Sequence, residues 1–215
     1  NGKETFWYES GQIKAEGNYK DDKRVGNWTH WNENGQIDFE ENYQDGKWEG
    51  KKNQWYDNGQ IKVEENYIDD KRVGKLTKWH ENGQKKLEEN YIDDKRVGKR
   101  TKWYENGNID AEMTNYSNGN LDGKWTEWHE NGQKKLETYF KEDKQDGEMT
   151  NWDMDGNVIG YREYKDDELV WSYLADKDTV FNLTAIGAGI DLTAIGAGVF
   201  KYSDEDIAST YRTFP

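Results

Sequence analysis

The chain holds 215 residues, of which 32% are hydrophobic and 34% charged, with a mean hydropathy of −1.32. So few apolar residues exclude a thick globular core, while 11 Trp and 14 Tyr exclude a disordered chain, because that many rings must be buried somewhere. A net charge of −14, with bases scattered among the acids, excludes the basic patch that nucleic acid or anionic lipid would need, and the lack of cysteine excludes disulfides and thiolate zinc sites.

From its first residues the sequence repeats. Copies open at Gly2, Gly26, Gly50, Gly74, Gly98, Gly123 and Gly147. A second glycine follows nine residues later, at Gly11, Gly35, Gly59, Gly83, Gly107, Gly132 and Gly156. Four residues before it stands a tryptophan: Trp7, Trp31, Trp55, Trp79, Trp103, Trp128 and Trp152. The period is 24 residues, broken by one extra residue near Met113 to Tyr116. A period of this size signals stacked supersecondary units that bury surface only against their neighbours.

Each copy, such as GKLTKWHENGQKKLEENYIDDKRV, contains two alternating runs separated by Glu-Asn-Gly and ends in an Asp- and Lys-rich turn. This is the signature of a β-hairpin. A two-residue Asn-Gly loop would set Trp103 opposite Asp110. A three-residue loop with a left-handed glycine sets it opposite Ile109, and that bulged hairpin is the reading adopted.

On this register the tryptophans, the Thr row and the Ile or Val row (Ile13, Ile37, Ile61, Ile109, Val158) are expected on one face. The apolar row Ala15, Phe39, Val63, Leu87, Ala111 and Leu136 and the tyrosines Tyr19, Tyr43, Tyr67, Tyr91, Tyr116 and Tyr164 are expected there too. Glu16, Glu40, Glu64, Glu88, Glu112 and Glu137 would then lie on an opposite, wet face among lysines. The expected fold is all-β: an open, elongated antiparallel meander of seven hairpins over residues 1–170, about 65 Å long at the usual strand spacing.

The pattern Trp-[Tyr/His]-Glu-Asn-Gly-Gln-x-Lys-x-Glu-x-x-Tyr with Gly-Lys openings resembles the MORN repeat variant of bacterial proteins often labelled YwqK-like antitoxin components. The resemblance covers residues 2 to about 170. It implies an open meandering β-sheet and protein interaction, and it carries no catalytic residues.

After Val170 the charges thin out. Residues 171–215 contain Leu-Thr-Ala-Ile-Gly-Ala-Gly twice, at 183–189 and 192–198. Asp191 in mid-stretch and four glycines argue against a membrane-spanning helix. The expectation for 171–215 is a small apolar cap folded back on the ribbon, with a hairpin or bend at the glycines, and the alternative is an anchor to a membrane or partner.

Other chemistries fail on spacing. His30, His80 and His129 lie about two repeats apart, roughly 20 Å, too far to share a metal ion, and they are read as side chains of the wet face. Asn151 to Gly156 begins like a calcium loop but has Arg162 at its twelfth position. Paired acids such as Asp69-Asp70 and Asp93-Asp94 recur at one repeat position and read as turn residues.

With no cofactor or metal called for, the expectation is a non-enzymatic protein-interaction or structural module. Its binding face would carry Trp7, Trp31, Trp55, Trp79, Trp103, Trp128, Trp152, Tyr19, Tyr43, Tyr67 and Tyr91, and its partner would be another protein or a second copy. The alternatives are a glycan-stacking platform and an antitoxin-type partner of a toxin.

Overall fold

The computed structural model describes residues 1–174, 180–185 and 190–195, with side chains through residue 172. The first four hairpins are Gly2–Trp7 with Ile13–Lys20, Lys23–Trp31 with Ile37–Gln44, Lys47–Trp55 with Ile61–Ile68, and Gly74–Trp79 with Lys85–Ile92. Lys95–Trp103 with Ile109–Met113, Gly123–Trp128 with Lys134–Lys141, and Gly147–Trp152 with Val158–Lys165 complete the expected seven. Each strand pairs antiparallel with its neighbours in sequence, so the chain meanders through one long sheet. No helix occurs among the described residues.

Both turn types follow from their residues. At the Asn-Gly end, Trp103 pairs with Ile109, Tyr104 N–H donates to Asn108 O at 2.9 Å, and Gly107 N–H donates to Tyr104 O at 3.0 Å. Gly107 has φ of +89°, the left-handed conformation that the bulged loop demands. At the other end, two-residue turns join successive hairpins, with both central residues at positive φ: Asp69 at 50° and Asp70 at 67° are typical. Aspartate tolerates that region and the mirror-image turn matches strand twist, so the paired acids are turn residues, as expected.

The bulge also corrects the expected assignment of faces. It takes up one residue beside the Trp–Ile pair, so Lys102 opposes Ala111 and Thr101 opposes Glu112. Thr101 also faces Glu88 on its other side. Threonines and glutamates therefore share a face with the Gly-Lys lysines and the tryptophans of the Trp-x-Glu-Asn-Gly motif. The apolar row and the tyrosines share the other. The expected single aromatic face is two faces, each with its own aromatic row.

The buried residues sit mostly on the tyrosine face: Ala15, Trp28, Tyr67, Leu76, Tyr91, Ala111, Met113 and Tyr116. The extra residue in the fifth copy is absorbed where that copy's second strand stops at Met113. There Thr114 N–H donates to Lys124 O, Lys124 N–H donates to Thr114 Oγ1, and a separate two-stranded ladder pairs Tyr116–Ser117 with Asn120–Leu121.

Beyond the hairpins, Glu168–Leu174 pairs with Val158–Lys165, Val180–Ala185 pairs with it, and Ile190–Ile195 pairs in turn, with Leu183 opposite Leu192. The Leu-Thr-Ala stretches of the two tail copies thus lie in antiparallel strands that lengthen the sheet. The rest of the expected cap, residues 175–179, 186–189 and 196–215, lies outside the described residues.

Candidate interaction surface

Alternation along Leu87, Glu89 and Tyr91 turns all three side chains to the tyrosine face, and the pattern recurs at Phe39, Glu41, Tyr43 and Val63, Glu65, Tyr67. The middle glutamate is buried at Glu41 and Glu89 and half-buried at Glu65, so it must be paired and hydrogen-bonded. Glu89, 4% exposed, accepts from Tyr91 Oη at 2.7 Å, Arg96 Nε at 3.1 Å and Arg100 Nε at 3.1 Å. Glu41 accepts from Tyr43 Oη at 2.7 Å and has Lys52 Nζ at 3.4 Å.

These groups join copy to copy. The Arg24 guanidinium lies 4.4 Å from the Trp28 ring centroid and donates to Tyr43 Oη, which also accepts from Trp48 Nε1. Lys52 Nζ sits 4.1 Å over the Trp48 ring, and Arg72 donates to Tyr67 Oη while pairing with Glu65. Burial, ahead of the carboxylate beside them, pushes the phenol pKa of Tyr43 and Tyr91 upward. On this face the rings and charges are largely spent on one another.

The tryptophan face is built differently. Across the strands a row alternates threonine and glutamate, Thr5–Glu16–Thr29–Glu40, then, with Asn53 in the threonine place, Asn53–Glu64, and on through Thr77–Glu88–Thr101–Glu112–Thr126–Glu137. Lysines lie over this row: Lys3 on Glu16 at 2.7 Å, Lys75 and Lys85 on Glu88 at 2.7 Å each, and Lys124 and Lys134 on Glu137 at 3.0 and 2.8 Å. In the same row Thr77, Thr101 and Thr126 are buried. For Glu88, burial alone would raise the pKa, but bonds from Lys75 and Lys85 outweigh it and the net shift is downward. Of the row expected to be wet, Glu16, Glu88, Glu112 and Glu137 are ion-paired and half-buried, while Glu64 is exposed.

Above this row stand the tryptophans. Trp31, Trp55, Trp79, Trp103, Trp128 and Trp152 are each half-buried, and Trp7 is 60% exposed. Lys85 Nζ lies 5.7 Å from the Trp103 ring centroid and Lys134 Nζ 5.4 Å from that of Trp152. Of the expected site residues, these seven tryptophans form one row. Tyr19, Tyr43, Tyr67 and Tyr91 form another on the far side of the sheet, with Tyr67 and Tyr91 buried.

At five of the seven copies the residue after the tryptophan ties that copy to the next. Tyr8, Tyr56 and Tyr104 donate their hydroxyls to the carbonyls of Trp31, Trp79 and Trp128, at 2.7, 2.8 and 2.7 Å. His80 and His129 take the same place through Nε2, at 2.9 Å from Trp103 O and 3.0 Å from Trp152 O. This corrects the expectation of wet-face histidines: His80 is 9% exposed and acts as an inter-repeat clip. A parallel ladder runs through the turns, where Asn58, Asn82, Asn106 and Asn131 donate Nδ2 to the carbonyls of Glu81, Glu105, Glu130 and Met154.

Comparison with known proteins matches this periodicity. The model of the MORN repeat variant matches residues 1–21, 24–45, 48–69, 72–93, 96–120 and 121–142, together more than half of the chain. The seventh hairpin, Gly147–Trp152 with Val158–Lys165, continues the same pairing beyond the last match. No curated protein matches the chain. Among solved structures it is similar to one described as "Crystal Structure of TcdB2-TccC3", at 12% identity and a TM-score of 0.25, covering 97% of this chain and 16% of that one.

Proposed function

The chain belongs to the MORN repeat variant family, and from that premise we propose that it is a non-enzymatic interaction module whose tryptophan row receives a partner protein or a second copy of the chain. The observation that carries this reading is the unequal use of the two faces. On the tyrosine face, aromatic rings, arginines and glutamates satisfy one another. The tryptophan face repeats a half-exposed ring at every hairpin, above a row whose charges already neutralise one another. Half-exposed aromatics on a rigid, charge-balanced surface suit an apolar contact in which little has to be desolvated or ordered.

The test pairs the intact chain with a Trp79→Ser, Trp103→Ser variant, comparing self-association by light scattering and the proteins that co-purify. Loss of the bound protein or copy, with the sheet intact by circular dichroism, supports the proposal. A bound protein retained by the variant overturns it, as does a monodisperse monomer with nothing bound. The antitoxin role implied by the resemblance is one form of this reading, distinguished by recovery of a toxin with the chain. Glycan stacking is the rival use of the same rings, and a saturable change in tryptophan fluorescence on titration with sugars would favour it.

A further inference from the structure

The chain contains Asn-Gly at 1–2, 34–35, 58–59, 82–83, 106–107, 118–119 and 131–132. Such pairs invite an intramolecular reaction, because glycine offers little steric resistance to attack by its amide nitrogen on the preceding side chain. At each internal pair the glycine N–H donates to a backbone carbonyl, including Gly119 to Arg96 O at 2.9 Å and Gly83 to His80 O at 2.9 Å. Freeing the nucleophile therefore costs a similar amount at each, and the asparagine amide decides which pair reacts.

The amides differ. Asn58, Asn82, Asn106 and Asn131 are held at both ends: Oδ1 accepts from the backbone N–H two residues on, and Nδ2 donates to a carbonyl of the next copy. Asn34 has the first bond but gives its Nδ2 to the Gln36 side chain. Asn1 is held through both amide atoms by Asp21. Asn118 stands apart. It is exposed, it lies in the two-residue turn rather than the bulged one, and its side-chain bond is from Lys95 Nζ to Oδ1 at 2.9 Å. Lys95 holds the oxygen on which negative charge develops when the amide carbon is attacked, and leaves the departing nitrogen unheld.

We propose that Asn118 is a site of spontaneous deamidation, in which Gly119 N attacks the Asn118 side-chain carbon while Lys95 Nζ stabilises the carbonyl oxygen. The Gly119 N–Cγ bond forms and the amide proton passes to water. The Cγ–Nδ2 bond then breaks, and Nδ2 leaves as ammonia with a proton from solvent. Water opens the resulting succinimide at either carbonyl, giving aspartate or isoaspartate, so the net reaction consumes one water and releases one ammonia. The isoaspartate product adds a methylene to the backbone of a turn closed by the Tyr116–Leu121 and Ser117–Asn120 pairs. It falls two residues beyond the break in the repeat period near Met113 to Tyr116.

The experiment incubates the intact chain at mildly alkaline pH and follows each Asn-Gly peptide by mass spectrometry, with an Asn118→Asp chain as the standard for product. Asn118 is expected to react first, about tenfold faster than Asn82 or Asn106, and Lys95→Met is expected to slow it several-fold with the circular dichroism unchanged. Equal rates at Asn82, or an intact Asn118 when other pairs have reacted, would overturn the site. An unchanged or faster rate in Lys95→Met would overturn the part given to the lysine.

Discussion

The two faces of this sheet come from the same strands and the same repeat, yet they handle aromatic rings in opposite ways. The tyrosine face buries its rings by bringing charge inside with them, so that Arg24, Lys52, Arg72, Arg96 and Arg100 cross rings while Glu41, Glu65 and Glu89 bind the cations and phenols. The tryptophan face keeps its charges in a lysine–glutamate layer that covers threonines and leaves the rings half outside. A one-layer sheet has no second layer to pack on, and long polar side chains supply the cover instead. How they are paired decides which aromatic row is structure and which is surface.

The largest effect should come from exchanging equivalent truncations between the faces. Trp28, 0% exposed, fills the space beside Gly17 and donates Nε1–H to Asn18 O. Trp28→Ala is therefore expected to cost about 3–5 kcal/mol. Trp79→Ala, at a half-buried position in a central hairpin, should cost roughly half of that, and Trp7→Ala, at 60% exposure, the least. Denaturant melts of the three variants give the ranking, and equal losses would erase the distinction between the faces. Gly17→Ala sharpens it, because a Cβ there would come within 2.2 Å of the Trp28 ring and should destabilise by pushing that ring out.

The turns come next. Gly83 has φ of +84°, and a side chain there would also meet Gln60 Oε1 at 2.8 Å. Gly83→Val is expected to cost about 2 kcal/mol or more, and a neutral melt would show that the bulged loop is wrongly assigned.

Much of this architecture is legible in the residues, and the part that is not has a definite cause. Repeating glycines fix the hairpins and their turn type, since left-handed positions and the 24-residue spacing admit few alternatives. Faces are harder, because a single bulge beside Trp103 and Ile109 shifts every later pair by one residue and moves Ala111 from Thr101 to Lys102. A signal was present in Glu89-x-Tyr91 together with Arg96: an acid two residues before a buried phenol needs an inward cation, and the repeat supplies one. The clip at His80 was also readable. Tyrosine and histidine replace each other at positions 8, 56, 80, 104 and 129, and what they share is a ring that carries a donor at its far edge.

That shared donor yields a smaller prediction. His80→Phe removes the bond to Trp103 O and leaves a carbonyl short of its partner, for about 1 kcal/mol, whereas His80→Tyr should restore the bond as Tyr56 and Tyr104 make it and melt near the parent. Equal losses in the two variants would mean that ring shape, not the donor, matters at this position.

The smallest effect separates the faces by pH. On the tryptophan face, burial raises the Glu88 and Glu137 pKa values, but the lysine bonds outweigh it and leave both below the ordinary 4.5. A carboxylate depressed on folding contributes stability that is present above its unfolded value and lost as pH falls through the folded one. On the tyrosine face, burial holds Tyr43, Tyr67, Tyr91 and Tyr116 above the ordinary 10.0. An acid group raised on folding contributes stability that is present below its unfolded value and lost as pH climbs through the folded one. Acid should therefore loosen the tryptophan face first and alkali the tyrosine face. In a Lys75→Met, Lys85→Met chain the Glu88 pKa, read by NMR, should rise, and the fall in melting temperature on acidification should shrink, while the alkaline limb stays that of the parent. If the double variant instead shifts the alkaline limb and leaves the acid limb alone, the lysine–glutamate layer is not what holds the tryptophan face together.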